Sequence, residues 1–161
     1  MRTIELTQGH IAIIDDDDFE RVSQYKWCSH ERRGTPAAKR RRKDGKNETL
    51  HRFILGLEHG DGEIVDHING NGLDNRKENL RLCTNQQNLR NVGVRKNNTS
   101  GFKGVSWSKG RGNWQVNIST GLKVKSLGRF KDKLDAVRAY NDAAIKYHGE
   151  YAYLNVIPEG L

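Results

Sequence analysis

Short runs in which apolar and polar residues alternate open the chain. Residues 3–6 and 10–14 read as strands of one small hairpin, and extended pieces near 25–30 and 37–42 as a second. Between them, Asp15 to Asp18 run directly into Phe19-Glu20-Arg21-Val22. Such carboxylates suit either a metal cluster or a helix N-terminus; we favour the helix start, where acids complement the exposed N–H groups. Leu50, Phe53, Ile54 and Leu57 recur at i, i+3, i+4 and i+7, which predicts an amphipathic helix over 50–58, before Gly60. Strands follow at 63–67 and 80–83, separated by a loop rich in Gly and Asn. Thr84-Asn85-Gln86-Gln87 has the form of a capping box, so a helix carrying Asn88 starts there.

Residues 90–101 show no periodicity and read as a linker. Beyond it, 102–108, 114–119 and 122–127 are expected as three strands joined by Gly-containing turns. A helix over 132–148 would gather Ala136, Val137, Tyr140, Ala143, Ala144 and Tyr147 on one face before Gly149 stops it. If Trp114, Val116 and Ile118 face that helix, Gln115, Asn117 and Ser119 face away from it. The pattern is α+β, with two small cores.

Composition narrows the function. The 161 residues carry a formal net charge of +8, with the excess of Lys and Arg most pronounced after residue 101. A basic surface favours a polyanionic partner. The run Lys39-Arg40-Arg41-Arg42-Lys43 either contacts phosphates or is a solvated hairpin tip. Two cysteines, Cys28 and Cys83, exclude a disulfide framework and a four-thiolate zinc site. No apolar stretch approaches a membrane span and no signal-peptide core follows Met1, so the expectation is a soluble, intracellular, cytoplasmic protein with no membrane partner.

The densest chemistry lies in VDHINGNGLDNRKENL, residues 65–80. A calcium loop fails, because counting from Asp66 puts Ile68, Gly70 and Lys77 where positions 3, 5 and 12 need oxygen ligands. A polar turn explains Asn69 to Gly72. It leaves unexplained an Asp-His pair ending an apolar strand, followed by Asn79 and Asn88.

His51-Arg52, Val65-Asp66-His67-Ile68, Asn75-Arg76-x-x-Asn79-Leu80-Arg81-Leu82 and Asn85-x-x-Asn88 together resemble the HNH endonucleases, in the phage and intron-encoded, homing-type branch with a ββα-metal site. Asn79 follows His67 by 12 residues and Asn88 follows Asn79 by 9, as that pattern implies. The resemblance implies a metal-dependent DNA endonuclease that cuts one strand per active site. His67 would take a proton from water, Asn79 would hold the loop and orient the histidine, and Asp66 and Asn88 would bind Mg²⁺ or Mn²⁺. Asn85 is a lesser candidate ligand. Asn88 departs from those members with His at the last position. His51 is either a packed or capping residue or a phosphate contact.

Ser100-Gly101-Phe102-Lys103-Gly104-Val105, Asn113 to Ile118, Leu127-Gly128-Arg129-Phe130, the Ala and Tyr pattern from Ala136 to Ala144, and Tyr153-Leu154-Asn155 resemble an AP2 domain, whose sheet lies in the DNA major groove. That resemblance adds Lys103, Ser106 and Ser108 to Gln115, Asn117 and Ser119 as the reading face. Lys109, Arg111, Lys123, Lys125 and Arg129 would contact phosphates, with Arg40, Arg41 and Arg42 on the cleavage side. Trp107 either stacks on nucleic acid or packs at the sheet edge, and we favour packing. The expected organisation is a nuclease domain over 1–90 with an N-terminal hairpin extension, a linker over 91–100 and an AP2-like DNA-binding domain over 101–157. Such a chain would bind double-stranded DNA as a monomer or a DNA-induced dimer. The competing expectation is a non-catalytic DNA-binding regulator that keeps only the HNH scaffold.

Overall fold

Ile4 pairs across from Ala12 in the first hairpin, which places both on one buried face. The computed structural model describes residues 1–32, 35–121 and 123–158, and divides into two compact units, Met1–Asn85 and Gln86–Leu161.

In the first unit, β1 (Arg2–Glu5) and β2 (Ile11–Ile14) form that antiparallel hairpin. A 3₁₀ turn, Asp16–Asp18, leads into α1 (Phe19–Ser23). The four acids do precede a helix, but Asp15 and Asp18 make no side-chain cap bond to it. Asp15 instead accepts the Lys77 N–H at 2.8 Å, and buried Asp18 binds Arg21 at 2.6 Å and Lys77 at 3.2 Å. A second sheet has the order β3-β4-β5, from Cys28–Arg32, Thr35–Arg41 and Asn47–Thr49.

α2 (Leu50–Ile54) is shorter than its periodicity suggests. Gly56 takes φ 68°, its N–H bonds Phe53 O, and the Leu57 N–H bonds Arg52 O. This is a Schellman C-cap, so Leu57 closes the helix rather than extending it. The hairpin β6 (Ile64–His67) and β7 (Leu80–Cys83) completes the unit. One apolar core draws on β1, β2, α1, β4, α2, β6 and β7, with Trp27, Ile14, Leu50 and Val22 essentially sealed from solvent.

α3 (Asn85–Asn91) begins at the boundary between the units. The second unit carries the antiparallel sheet β8 (Val105–Ser108), β9 (Asn113–Ser119) and β10 (Val124–Phe130), with β9 central. The third strand's expected first residue, Leu122, lies outside the described residues; the strand itself runs on to Phe130. α4 (Lys133–His148) is capped by Asp132, whose carboxylate accepts the N–H groups of Leu134 and Asp135. Ala136, Val137, Tyr140 and Ala144 on α4 bury against Val105, Val116 and Ile118, so the expected faces of both helix and sheet are the ones that meet. Helices and antiparallel sheets mix throughout, consistent with an α+β chain.

Candidate active site and nucleic-acid interface

His67 ends β6, and its position is fixed from several directions. Across the ribbon it faces Leu80, while Asp66 faces Arg81. The loop between β6 and β7 is stitched by its own side chains. Asn79 accepts the Asn69 N–H at 3.0 Å and donates its amide to Asn69 Oδ1 and to the Asp74 carbonyl at 2.7 Å. Asn69 also donates to Asp74, and Asn71 and Leu73 close Asx turns on Asn69 and Asn71. Asn69 to Gly72 therefore do more than turn the chain, since Asn69 ties it to Asn79 and Asp74. The Arg76 guanidinium beside Asp74 holds that carboxyl below the usual carboxylate range, against the effect of burial.

The N-terminal hairpin then anchors the loop. Ile13 N–H bonds Leu73 O and Asn75 N–H bonds Ile13 O, both at 2.8 Å. Gly72 lies so close to β4 that a Cβ there would stand 2.6 Å from Pro36 O. The extension thereby sets Asn75, which is fully buried, against the imidazole: His67 Nε2 lies 3.3 Å from Asn75 Oδ1. With the amide oxygen accepting, Nε2 carries the hydrogen. Burial holds His67 below the ordinary histidine value, against the Asn75 hydrogen bond and the charges of Asp66 and Asp74, so the ring is neutral at pH 7. His51 packs edge-on to it, ring centroids 5.1 Å apart, and pairs with Thr49 Oγ1 at 2.9 Å.

Sequence reasoning assigned the histidine's orientation to Asn79. Asn79 braces the loop, and Asn75 hydrogen-bonds the imidazole. Asp66 is 7 % exposed, and its Oδ2 accepts Arg81 Nε at 3.0 Å and Nη2 at 2.7 Å. Among the described residues no cluster of three His, Cys, Asp or Glu side chains is placed to hold a metal. Asn88 lies on α3 in the second unit, as does all of that helix after Asn85.

Several candidate DNA contacts have other partners. Arg40, whose side chain is 13 % exposed, bonds Glu48 at 2.6 Å and stacks 3.5 Å over the Tyr25 ring. Arg42 pairs with Asp44 and Glu48, and Arg41 is exposed. In the second unit, Lys103 donates to the carbonyls of Arg90 and Val92 and stands over the Tyr153 ring. Burial and the charge of Arg95 bring its pKa down to about 8. Lys125 is opposite Ile118, on the helix side, and donates to the Tyr147 hydroxyl at 2.6 Å.

On the other face the register aligns Ser106, Gln115 and Arg129 in one row, with Ser108 opposite Asn113 and Asn117 opposite Ser126. Ser119 and Lys123 are exposed at one end of the sheet. Trp107 pairs edge-on with Trp114, centroids 5.0 Å apart, and remains 45 % exposed.

Residues 48–90 match the HNH endonuclease family. A protein of Acanthamoeba polyphaga mimivirus named as an uncharacterized HNH endonuclease, L560, is 32 % identical over 155 residues, covering 93 % of this chain and 77 % of that one. The chain belongs to the HNH endonuclease family, and that membership supports nuclease activity. Protein 3.8 of Escherichia phage T7 is 37 % identical over 91 residues, 56 % of this chain and 74 % of the phage protein. No solved structure matches the chain. None of the described helices is long and apolar enough to cross a membrane.

Proposed function

We propose that the chain is a divalent-metal-dependent endonuclease of nicking or homing type, which hydrolyses phosphodiester bonds in double-stranded DNA at sites chosen by an AP2-like second module. The observation that carries this reading is His67 hydrogen-bonded to Asn75 at the end of a loop that Asn79 and the N-terminal hairpin immobilise.

A phosphodiester repels nucleophiles, so its cleavage needs water stripped of a proton at the moment of attack. His67 is the base: Asn75 accepts the Nε2 hydrogen and holds the ring that takes the proton from water. Burial below the ordinary histidine value keeps the ring in its basic form at neutral pH. Asn79 acts through the loop, holding the backbone on which His67 and Asn75 meet. HNH nucleases generally use divalent metals, and the donor types suit a hard cation: Asp66 would offer a carboxylate oxygen and Asn88 an amide oxygen to Mg²⁺ or Mn²⁺. Bound there, the cation would offset the phosphate charge and support the leaving oxygen. Arg81 sits on the same carboxylate and competes with it.

Ser106, Ser108, Gln115, Asn117 and Ser119 supply hydroxyls and amides on the sheet face turned from α4, the groups that read base edges. Lys109, Arg111, Lys123 and Arg129 are exposed and supply phosphate contacts. Supercoiled plasmid incubated with Mg²⁺ tests the catalytic reading. The wild type should give nicked circles with 5′-phosphate ends, and His67→Ala should lose this activity by two or more orders of magnitude, as roughly 10²- to 10⁴-fold is what a general base contributes. Equal nicking by both would remove His67 from the mechanism.

The Asp66–Arg81 pair favours one alternative, a DNA-binding regulator whose HNH hairpin is only scaffold. Calorimetry with Mn²⁺ on wild type and Asp66→Ala separates the two. Heat that depends on Asp66 supports the enzyme, and none supports the scaffold.

A further inference from the structure

A cavity of about 450 Å³ in the second unit takes no part in the proposed hydrolysis, although Asn117 and Ser119 of β9 also border it. Residues from α3, the segment after it and α4 line it, among them Arg90, Arg95, Lys103 and His148, and no acidic side chain does. Among the described residues, no Asp or Glu pairs with Arg90, Arg95 or Lys103.

Two polar atoms in its wall are buried and unpartnered, Arg90 Nε and His148 Nδ1. His148 is 5 % exposed, and its Nε2 lies 2.6 Å from the Ser119 carbonyl, so Nε2 carries the hydrogen and Nδ1 is left as an acceptor. Buried polar groups without partners, gathered beside uncompensated positive charge, destabilise a fold unless something completes them. The missing component is an anion with a hydrogen-bond donor attached.

The cavity is larger than a bare phosphate needs and falls within the range of small-molecule sites, roughly 300 to 1,000 Å³. Leu89, Val92 and Tyr140 add apolar wall to the cationic groups. We infer that this cavity binds a nucleoside 5′-monophosphate, its phosphate held by Arg90, Arg95 and Lys103, and its base against the apolar wall with a donor to His148 Nδ1. Lys103 is the group an anion would relieve most, since burial and Arg95 already disfavour its charge.

The test is calorimetry on the full chain at physiological salt, with dAMP as the probe and inorganic phosphate as the control. Saturable one-to-one binding of dAMP, tighter than phosphate, is expected. Arg95→Gln and His148→Gln should each weaken it by about tenfold, the order expected for one charge-assisted or buried hydrogen bond. Arg95 is exposed, so its variant keeps the fold if His148→Gln does not, and thermal melting monitors both. No saturable dAMP binding, equal affinity for phosphate and dAMP, or an unchanged affinity in Arg95→Gln would overturn the inference. Competitive displacement of dAMP by a short duplex without terminal phosphates would also overturn it, assigning the cavity to the DNA backbone.

Discussion

Asn75 illustrates what a single residue can hide. It stands between His67 and Asn79 in residues 65–80, but nothing in its spacing says that it meets the histidine. That pairing depends on the Ile13 backbone, 62 residues earlier in the chain, which grips Asn75 from the other side. Asn75→Ala should therefore lower kcat for nicking by roughly 10- to 100-fold, the usual cost of losing a partner that orients a functional side chain, while KM for DNA stays close to wild type. Plasmid nicking at varied DNA concentration measures both. An unchanged kcat would remove the orienting role.

Arg81 was legible in principle, because pairing His67 with Leu80 necessarily sets Arg81 opposite Asp66. His148 was not, since its environment is assembled by tertiary packing. Burial, opposed by the Ser119 carbonyl and reinforced by Arg90 and Lys103, holds it below the ordinary histidine value. A histidine depressed in the fold contributes stability that is fully present above pH 6.5 and is lost as pH falls through the folded value. Denaturant unfolding at pH 7.5 and 5.5 should show a smaller loss in His148→Gln, which cannot charge, than in wild type. Parallel losses would contradict this.

At the level of elements, most were readable because local pattern and tertiary burial agree. The α4 face and the β9 alternation survived intact, each period matching the surface that the partner buries. Departures arose where one residue type serves two purposes. Leu57 completed the apolar spacing of α2 but lies beyond a left-handed glycine, and Asp15 precedes a helix but spends its carboxylate on Lys77.

Gly104 shows the reverse case, a turn residue whose importance is in packing. Its φ is 76°, and a Cβ there would stand 2.2 Å from the Tyr140 ring and 2.7 Å from Asn117 O. Tyr140 is 2 % exposed and cannot swing away without opening the core of the second unit. Gly104→Ala should destabilise that unit by at least about 1–3 kcal/mol from overpacking, with backbone strain added. Urea unfolding followed by tryptophan fluorescence measures it; a variant within about 0.5 kcal/mol of wild type would mean that the helix yields freely, as an unconstrained surface site does.

Over the whole molecule, net charge was plain from composition, but where it is available was not. The first unit spends its arginines internally: Arg21 on Asp18, Arg40 on Glu48, Arg52 on Asp61, Arg76 on Asp74 and Arg81 on Asp66. Basic runs read from sequence overstate the charge open to DNA, since alternate residues of a strand face inward to acids. In the second unit, Lys109, Arg111, Lys123 and Arg129 are exposed and, among the described residues, have no acidic partner. Duplex affinity of the full chain should thus fall linearly with log salt, with a slope of about −0.9 for each phosphate neutralised. Lys123→Gln with Arg129→Gln should reduce that slope by about 2, whereas Arg40→Gln, which removes an already paired charge, should leave it unchanged. Fluorescence anisotropy on a labelled duplex across a salt series reads all three. A slope that drops for Arg40→Gln and not for the double variant would place the DNA against the first unit's basic hairpin instead, and the sheet of the second unit would lose its claim to the phosphates.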